Sequence, residues 1–249
     1  MNKYSSPAIF ADYPELFAGV TLRTEPDQPP YLDQNYGFKS FPSEQIIAER
    51  RSASIALRHG LASSLSPTAA ISLSTQEHGN RIISAHQGDI EAKAVADGII
   101  TGQPDILIGV LLADCAGMLA YDPKAKIIGA AHSGWRGTRA NIAKQLVAAM
   151  QRAGANPQDT LAYISPTACA RHYEVGQEFH DYFDTRYLHK ANGKLYFDNS
   201  EAIADQLSAE GVAAIETDTR CTIEDKTLHS HRRDAKNAGR FMAFIGLRT

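Results

Sequence analysis

The chain has 249 residues, 43% of them apolar and 21% charged, which excludes a disordered or collagen-like polypeptide and allows a sizeable buried core. Its 25 basic and 28 acidic side chains leave a net charge of −3, so no basic surplus announces nucleic-acid binding. The three cysteines, Cys115, Cys169 and Cys221, are too few and too far apart for a disulfide framework and fit a reducing compartment with thiols left free.

Residues 1–20 include Asp12 and Glu15 and lack the long apolar core of a signal peptide. The most apolar run, Ile106 to Ala113, falls far short of the roughly 20 residues needed to cross a bilayer. A cytoplasmic protein with no membrane partner is therefore expected. No repeat or Gly/Ser-rich linker divides the chain, and residues 1–249 read as one domain. The Pro-rich stretch Thr24 to Gly37 reads as a loop.

In chain order, Ser43 to Leu57 reads as a helix, with Ser43 capping its start and Gly60 ending it. Short strands follow at Ala70–Leu73, Arg81–Ala85 and Gly98–Thr101. Ile106–Leu112 is continuously apolar between Pro104 and Asp114, the pattern of a strand buried on both faces. Gly117–Tyr121 and Lys126–Ala131 flank a Pro-containing turn and predict a hairpin. Thr138–Ala153 predicts an amphipathic helix, with Ile142, Leu146, Val147 and Met150 on one face and Gly154 at its end. Leu161–Ile164 is a strand, Ser200–Ala209 a helix closed by Gly211, and Val212–Glu216 and Phe241–Ile245 are strands. Hairpins interrupt the helix–strand alternation, so a purely parallel doubly wound sheet is not expected.

Three residues sit at strand ends beside loops, where a rigid scaffold presents functional side chains: His78 in Gln76-Glu77-His78-Gly79, Cys115 in Ala113-Asp114-Cys115, and His132 ahead of Gly134-Trp135-Arg136-Gly137. The predicted hairpin can bring Cys115 and His132 to one sheet edge. Two imidazoles and a thiolate make a three-ligand zinc set with a position left for water or substrate. Their spacing matches no compact ligand motif, and ordinary packing of a buried cysteine with hydrogen-bonded histidines accounts for the same residues.

Gly134 to Gly137 reads as a tight turn into a helix. It can free backbone N–H groups for an anion with Arg136 beside them, or simply pack Trp135 on the core. Asp114 points away from Cys115 if the strand continues, which suits a supporting carboxylate better than a ligand. His229-Ser230-His231 is the one His-x-His pair, whereas a multicopper oxidase needs several. The segment 229–234 is expected as a loop that supplies Arg and His to a site or to the surface. Cys169 and Cys221 default to packing.

Taken in order, these segments resemble the laccase-domain (YfiH-type) family, whose members are described as purine nucleoside phosphorylases and carry a polyphenol oxidoreductase label. The family's Gln-x-His-Gly, Ala-Asp-Cys and His-Ala-Gly-Trp-Arg-Gly are met by Gln76 to Gly79, Ala113 to Cys115 and His132 to Gly137. Its Tyr-Glu-Val-Gly, Cys-Thr, and Arg-Arg-Asp with Gly-Arg are met by Tyr173 to Gly176, Cys221-Thr222, and Arg232 to Asp234 with Gly239-Arg240; Ala96-Asp97-Gly98 also matches. The family's glycine-rich N-terminal loop is replaced by Thr21-Leu22-Arg23-Thr24 and a Pro-rich stretch, with Arg23 standing for the family arginine. Ser133 stands where Ala is usual and His231 where Tyr is common.

The resemblance implies an α+β fold, a layered α/β sandwich with mixed sheets like that of bacterial toxins that use a Cys–His pair as deamidases. It implies zinc, with copper as the alternative metal, held by His78, Cys115 and His132. The implied activity is phosphorolysis of adenosine, inosine or methylthioadenosine, with adenosine deamination as a second reaction. The partners expected are then a small-molecule nucleoside and phosphate. Asp114 is the proton carrier nearest to hand, and Arg136, Arg23 and Arg232 are the candidates to grip phosphate. Three further readings stand beside this one: a Cys–His hydrolase or deamidase with Cys115 as nucleophile and His132 as base, a copper-dependent polyphenol oxidase, and a non-catalytic purine-binding protein.

Overall fold

The computed structural model describes residues 3–30, 32–37, 44–86 and 94–249. Two large mixed sheets stack face to face between helices. The first has five strands in the order β1 (Tyr4–Ser5), β2 (Leu16–Thr21), β14 (Phe241–Leu247), β6 (Ile106–Leu112) and β3 (Ala70–Ser72). The second has six: β13 (Ala214–Thr217), β9 (Leu161–Ile164), β7 (Ala116–Asp122), β8 (Ile127–Ser133), β5 (Gly98–Thr101) and β4 (Ile82–Ser84). Parallel pairs at β3/β6, β4/β5 and β9/β13 join antiparallel ladders elsewhere, so both sheets are mixed.

The two-residue period of a strand decides which layer each side chain fills. Ile106, Ile108, Val110 and Leu112 of β6 meet Leu119 and Tyr121 of β7 and Ile128 and Ala130 of β8 in the core between the sheets. Leu107 faces the other way, onto Phe17, Met242, Phe244 and the end of helix α1 (Glu44–Ser63). On the far side, Met118, Ala120 and Ala131 pack under Leu146 and Met150 of α3 (Ile142–Arg152) and Ile203 and Leu207 of α4 (Asn199–Ala209). The order is helix, sheet, sheet, helix, which is the layered sandwich expected. Among the described residues no helix is long and apolar enough to cross a membrane.

The boundaries of several elements differ from expectation. Helix α1 runs through Gly60 to Ser63; a mid-helix glycine costs only about 1 kcal/mol against alanine, and the turn beyond it buries Leu61 and Ala62 in the core. The capping role given to Ser43 lies outside the described residues. The helix predicted over 138–153 is two helices, α2 (Trp135–Arg139) and α3, broken where Asn141 adopts the left-handed φ of 57°. Residues 188–197 form a hairpin of β11 (Leu188–Ala191) and β12 (Lys194–Phe197) in a third, three-stranded sheet with β10 (Glu174–Val175). Its turn is Asn192-Gly193, both at positive φ, the dipeptide that favours a tight hairpin. Residues 231–234, expected as loop, form the short helix α5 (His231–Asp234).

Strand β6 belongs to the first sheet and β7 to the second, so Ala113-Asp114-Cys115 is a three-residue bridge between the layers. Asp114 takes a φ of 83° there, a left-handed conformation that Asp tolerates better than most residues.

Candidate functional site

The β7/β8 hairpin pairs Gly117 with His132, which brings the inter-sheet bridge alongside the end of β8. Its turn is fixed by the Asp122 carboxylate, which accepts from the backbone N–H of Lys124 and Ala125 at 2.8 and 3.0 Å. His78 arrives from the other direction, on the segment between β3 and β4, with a left-handed φ of 65°. One ligand atom each from His78, Cys115 and His132 then lies within 4.8 Å of the others. The two imidazoles meet edge to face, with ring centres 4.7 Å apart. Gly134 presses against them: a Cβ there would sit 2.9 Å from His78 Cδ2 and 3.0 Å from Cys115 Sγ, so no larger residue fits without moving the group.

Asp97, immediately before β5, holds the arrangement. Its carboxylate accepts from the backbone N–H groups of Glu77, His78 and Gly79 at 3.2, 2.9 and 2.8 Å, and lies 2.8 Å from His132 Nδ1. The three N–H contacts account for the unusual backbone of His78. The fourth commits Nδ1 and leaves Nε2 of His132 as the free ligand nitrogen. Burial raises the Asp97 pKa, but His132 and the Gly79 N–H outweigh it, and the group is held below its usual value.

The electrostatics of the pair at the centre follow. Burial pushes the Cys115 thiol up, yet the imidazoles of His132 and His78 more than offset that and bring it down to about 6. Burial pulls His132 down, while Cys115 and Asp97 raise it to about 9. At neutral pH the ligand-free pair is thus a thiolate beside an imidazolium. The donor set suits a borderline-soft divalent ion: two nitrogens, one thiolate and an orienting carboxylate behind one imidazole. His78 is exposed while His132 is buried, so the open side of the set faces solvent.

The remaining predicted residues divide. Asp114 is buried, and both oxygens are taken: Oδ1 accepts from Thr222 Oγ1 and Oδ2 from the Arg232 backbone N–H, each at 2.6 Å. It knits the bridge to two C-terminal segments, a different task from the free proton carrier that its place in the sequence suggests. Arg136, on α2, is exposed and lies over the Trp135 ring, 4.3 Å from its centre. Arg232 is exposed, donates to the Glu174 carbonyl at 3.1 Å and covers Tyr173. Arg23 does not join them. Its buried guanidinium pairs with Asp33 and donates to the carbonyls of Pro26, Gln28 and Lys226, pinning the loop that follows β2. Trp135 is half-buried and stacks on Tyr182 at 5.7 Å, so its packing role holds.

Sequence reasoning left Asp97, Tyr173 and Arg240 without a task. Tyr173 lies close enough to Cys115 that burial and the neighbouring sulfur both raise its phenol. Arg240 feels Cys115 and Asp114, although burial has the larger effect and lowers its pKa. Only Asp97 carried a usable signal, a carboxylate one residue ahead of an apolar strand. Of the His-x-His pair, His229 is fully buried with Nε2 3.3 Å from the Gln34 carbonyl, while His231 is exposed. Among the described residues neither belongs to a group of three ligand side chains.

Known proteins share this arrangement of strands. The chain superimposes with a TM-score of 0.86 on YlmD from Geobacillus stearothermophilus, at 28% identity and covering 100% of this chain and 97% of that one. It matches YfiH of Bacillus licheniformis with a TM-score of 0.84 at 27% identity over the whole of both chains. A Deinococcus radiodurans protein named purine nucleoside phosphorylase is 33% identical over 176 residues, 69% of this chain and 68% of that protein. The Bacillus subtilis purine nucleoside phosphorylase YlmD is 30% identical over 192 residues, 70% of this chain and 69% of that protein. Residues 18–248 match the family described as multi-copper polyphenol oxidoreductase laccase, and the chain belongs to that family.

Proposed function

We propose that the chain is a zinc-dependent purine nucleoside phosphorylase that also deaminates adenosine. The observation that carries this reading is the convergence of His78, Cys115 and His132 within 4.8 Å, with Asp97 fixing the tautomer of His132. Relatives bearing the phosphorylase name point the same way. Zinc bound by these three side chains would supply Lewis-acid activation at its open position.

In phosphorolysis a phosphate oxygen forms a bond to the ribose C1′ as the C1′–N9 bond breaks. The purine leaves with the electron pair and gains a proton. Arg136 and Arg232 present exposed guanidiniums able to fork onto phosphate, while Arg23 supports the loop after β2. Asp114, with both oxygens engaged, positions Cys115 and the backbone of Arg232. Incubation of zinc-loaded protein with inosine and phosphate should release hypoxanthine and ribose 1-phosphate, and adenosine alone should yield inosine and ammonia. Absence of a free base from adenosine, inosine and methylthioadenosine alike would reject the phosphorylase.

A second reading, a Cys–His hydrolase, is favoured by one observation: without metal, Cys115 and His132 form the ion pair of an activated nucleophile and its base. Under the first reading, iodoacetamide labels Cys115 readily in chelator-treated protein and zinc protects it. Activity that persists after chelation and is abolished by labelling would favour the hydrolase.

A further inference from the structure

Cys169 and Cys221, assigned by default to packing, meet across two loops. Cys169 follows β9, and Cys221 follows β13, in the neighbouring strand of the same sheet. An isolated parallel bridge between Thr167 and Cys221 joins the segments, closed by the Thr222 N–H donating to the Thr167 carbonyl at 3.0 Å. Each cysteine begins a tight turn. The N–H groups of His172 and Tyr173 donate to the Cys169 carbonyl, and those of Glu224 and Asp225 to the Cys221 carbonyl. The turns present Cys169-x-x-His172 and Cys221-x-x-Glu224, the short spacing common to structural zinc sites.

Donor atoms of all four side chains lie within 4.8 Å of one another. His172 Nδ1 is 3.4 Å from Cys169 Sγ, 3.6 Å from Cys221 Sγ and 3.6 Å from Glu224 Oε1. A single ring nitrogen holds at most one proton and cannot bond to three neighbours at once. A tetrahedral ion accounts for all three distances. With Zn–S of about 2.3 Å and Zn–N of about 2.0 Å, adjacent sulfur and nitrogen ligands lie about 3.5 Å apart. Arg171 Nη2 donates to both Glu224 oxygens, to Oε2 at 3.0 Å and to Oε1 at 3.3 Å, and Oε1 is the oxygen that also faces His172.

We propose that Cys169, His172, Cys221 and Glu224 form a second, structural zinc site that clamps the loop after β9 to the loop after β13. Four protein donors leave no open position, so its role is to hold backbone in place. What it holds is the support of Asp114: the Asp114 carbonyl accepts from the N–H of Ala168, and its carboxylate from Thr222.

The test uses full-length Cys115→Ser protein, which removes the only thiolate of the His78–Cys115–His132 group and so stands apart from the proposed enzymatic activity. Loaded with Co²⁺, this variant should show sulfur-to-cobalt charge transfer in the near ultraviolet, and it should retain tightly bound zinc on dialysis. Both signals should disappear when Cys169 and Cys221 are also changed to Ser. Because Cys221 is buried, His172→Asn is the second variant: its side chain is 38% exposed, so the fold should survive while affinity for Co²⁺ falls at least tenfold. A Cys115→Ser protein with no charge-transfer band, a disulfide joining Cys169 to Cys221 in freshly purified protein, or unchanged Co²⁺ affinity in His172→Asn would overturn the proposal.

Discussion

At the scale of single residues, the organisation of the site turns on Asp97. One buried carboxylate satisfies three consecutive backbone N–H groups and one imidazole. Asp97→Asn keeps the shape but gives up the negative charge and replaces one of the two accepting oxygens with an NH2 donor. Loss of such a partner behind a metal-bound histidine typically weakens binding by about 10–100-fold, and competition with a chromophoric chelator should show a change of that order with the circular dichroism unaltered. Gly134→Ala should also weaken binding, because the new methyl displaces His78 or Cys115.

His229 offers a prediction in pH. Burial lowers its pKa from 6.5 to about 4, so the folded protein keeps it neutral where the unfolded chain already binds a proton. Stability should therefore fall as pH drops from 6.5 towards 4, by up to about 3 kcal/mol at full expression. Urea titrations at pH 7 and pH 4.5 should show a smaller decline for His229→Gln than for the parent chain. An equal decline in both would remove His229 as the cause. Nothing in the sequence separates His229 from His231, two residues on. One is sealed beneath Gly239 and the other lies on the surface, a difference made by contacts with residues around Gln34 that are remote in sequence.

Among the elements, the predictable parts were those whose local pattern coincides with their packing. Strands at 98–101, 106–112 and 161–164 have the predicted ends because an apolar run bounded by breakers has few other registers. The helix predicted over 138–153 split because tertiary hydrogen bonds won over periodicity. Thr138 lies inside α2 and donates to Asn199 Oδ1 at 2.6 Å, while Ser133 Oγ lies 2.8 Å away and Asn199 returns a bond to the Ser133 carbonyl. This buried network ties the end of β8 to α2 and α4, just beyond His132. Thr138→Val leaves Asn199 and Ser133 without that partner and should cost about 1–3 kcal/mol in chemical denaturation. A loss below 0.5 kcal/mol, on the order of a surface substitution, would mean the network is dispensable.

The trio was found by a related logic. Order along the chain marks strand ends, and the hairpin register makes two of them neighbours. The second cluster is hard to see in the sequence because its halves, 169–172 and 221–224, are adjacent only through the pairing of β9 with β13, and each half supplies only two of the four donors. The Asn192-Gly193 hairpin, by contrast, carried a plain local signal.

For the molecule as a whole, the two-sheet sandwich explains why chemistry gathers at one edge. A strand that leaves one layer for the other must cross there, and the crossing residues cannot continue either ladder. Ala113-Asp114-Cys115 makes that crossing, and the end of β8, the loop carrying His78 and the C-terminal segment at Arg232 converge on it. The central claim is that a metal held at this crossing by His78, Cys115 and His132 supports cleavage of purine nucleosides by phosphate. The most direct measurement is a zinc titration of chelator-treated protein with inosine and phosphate present, following hypoxanthine release in the parent chain and in Cys115→Ser. Release should rise with zinc until the three-donor site is filled, and Cys115→Ser should stay inactive at every zinc level. Full activity before zinc is added, or equal activity in Cys115→Ser, would contradict it.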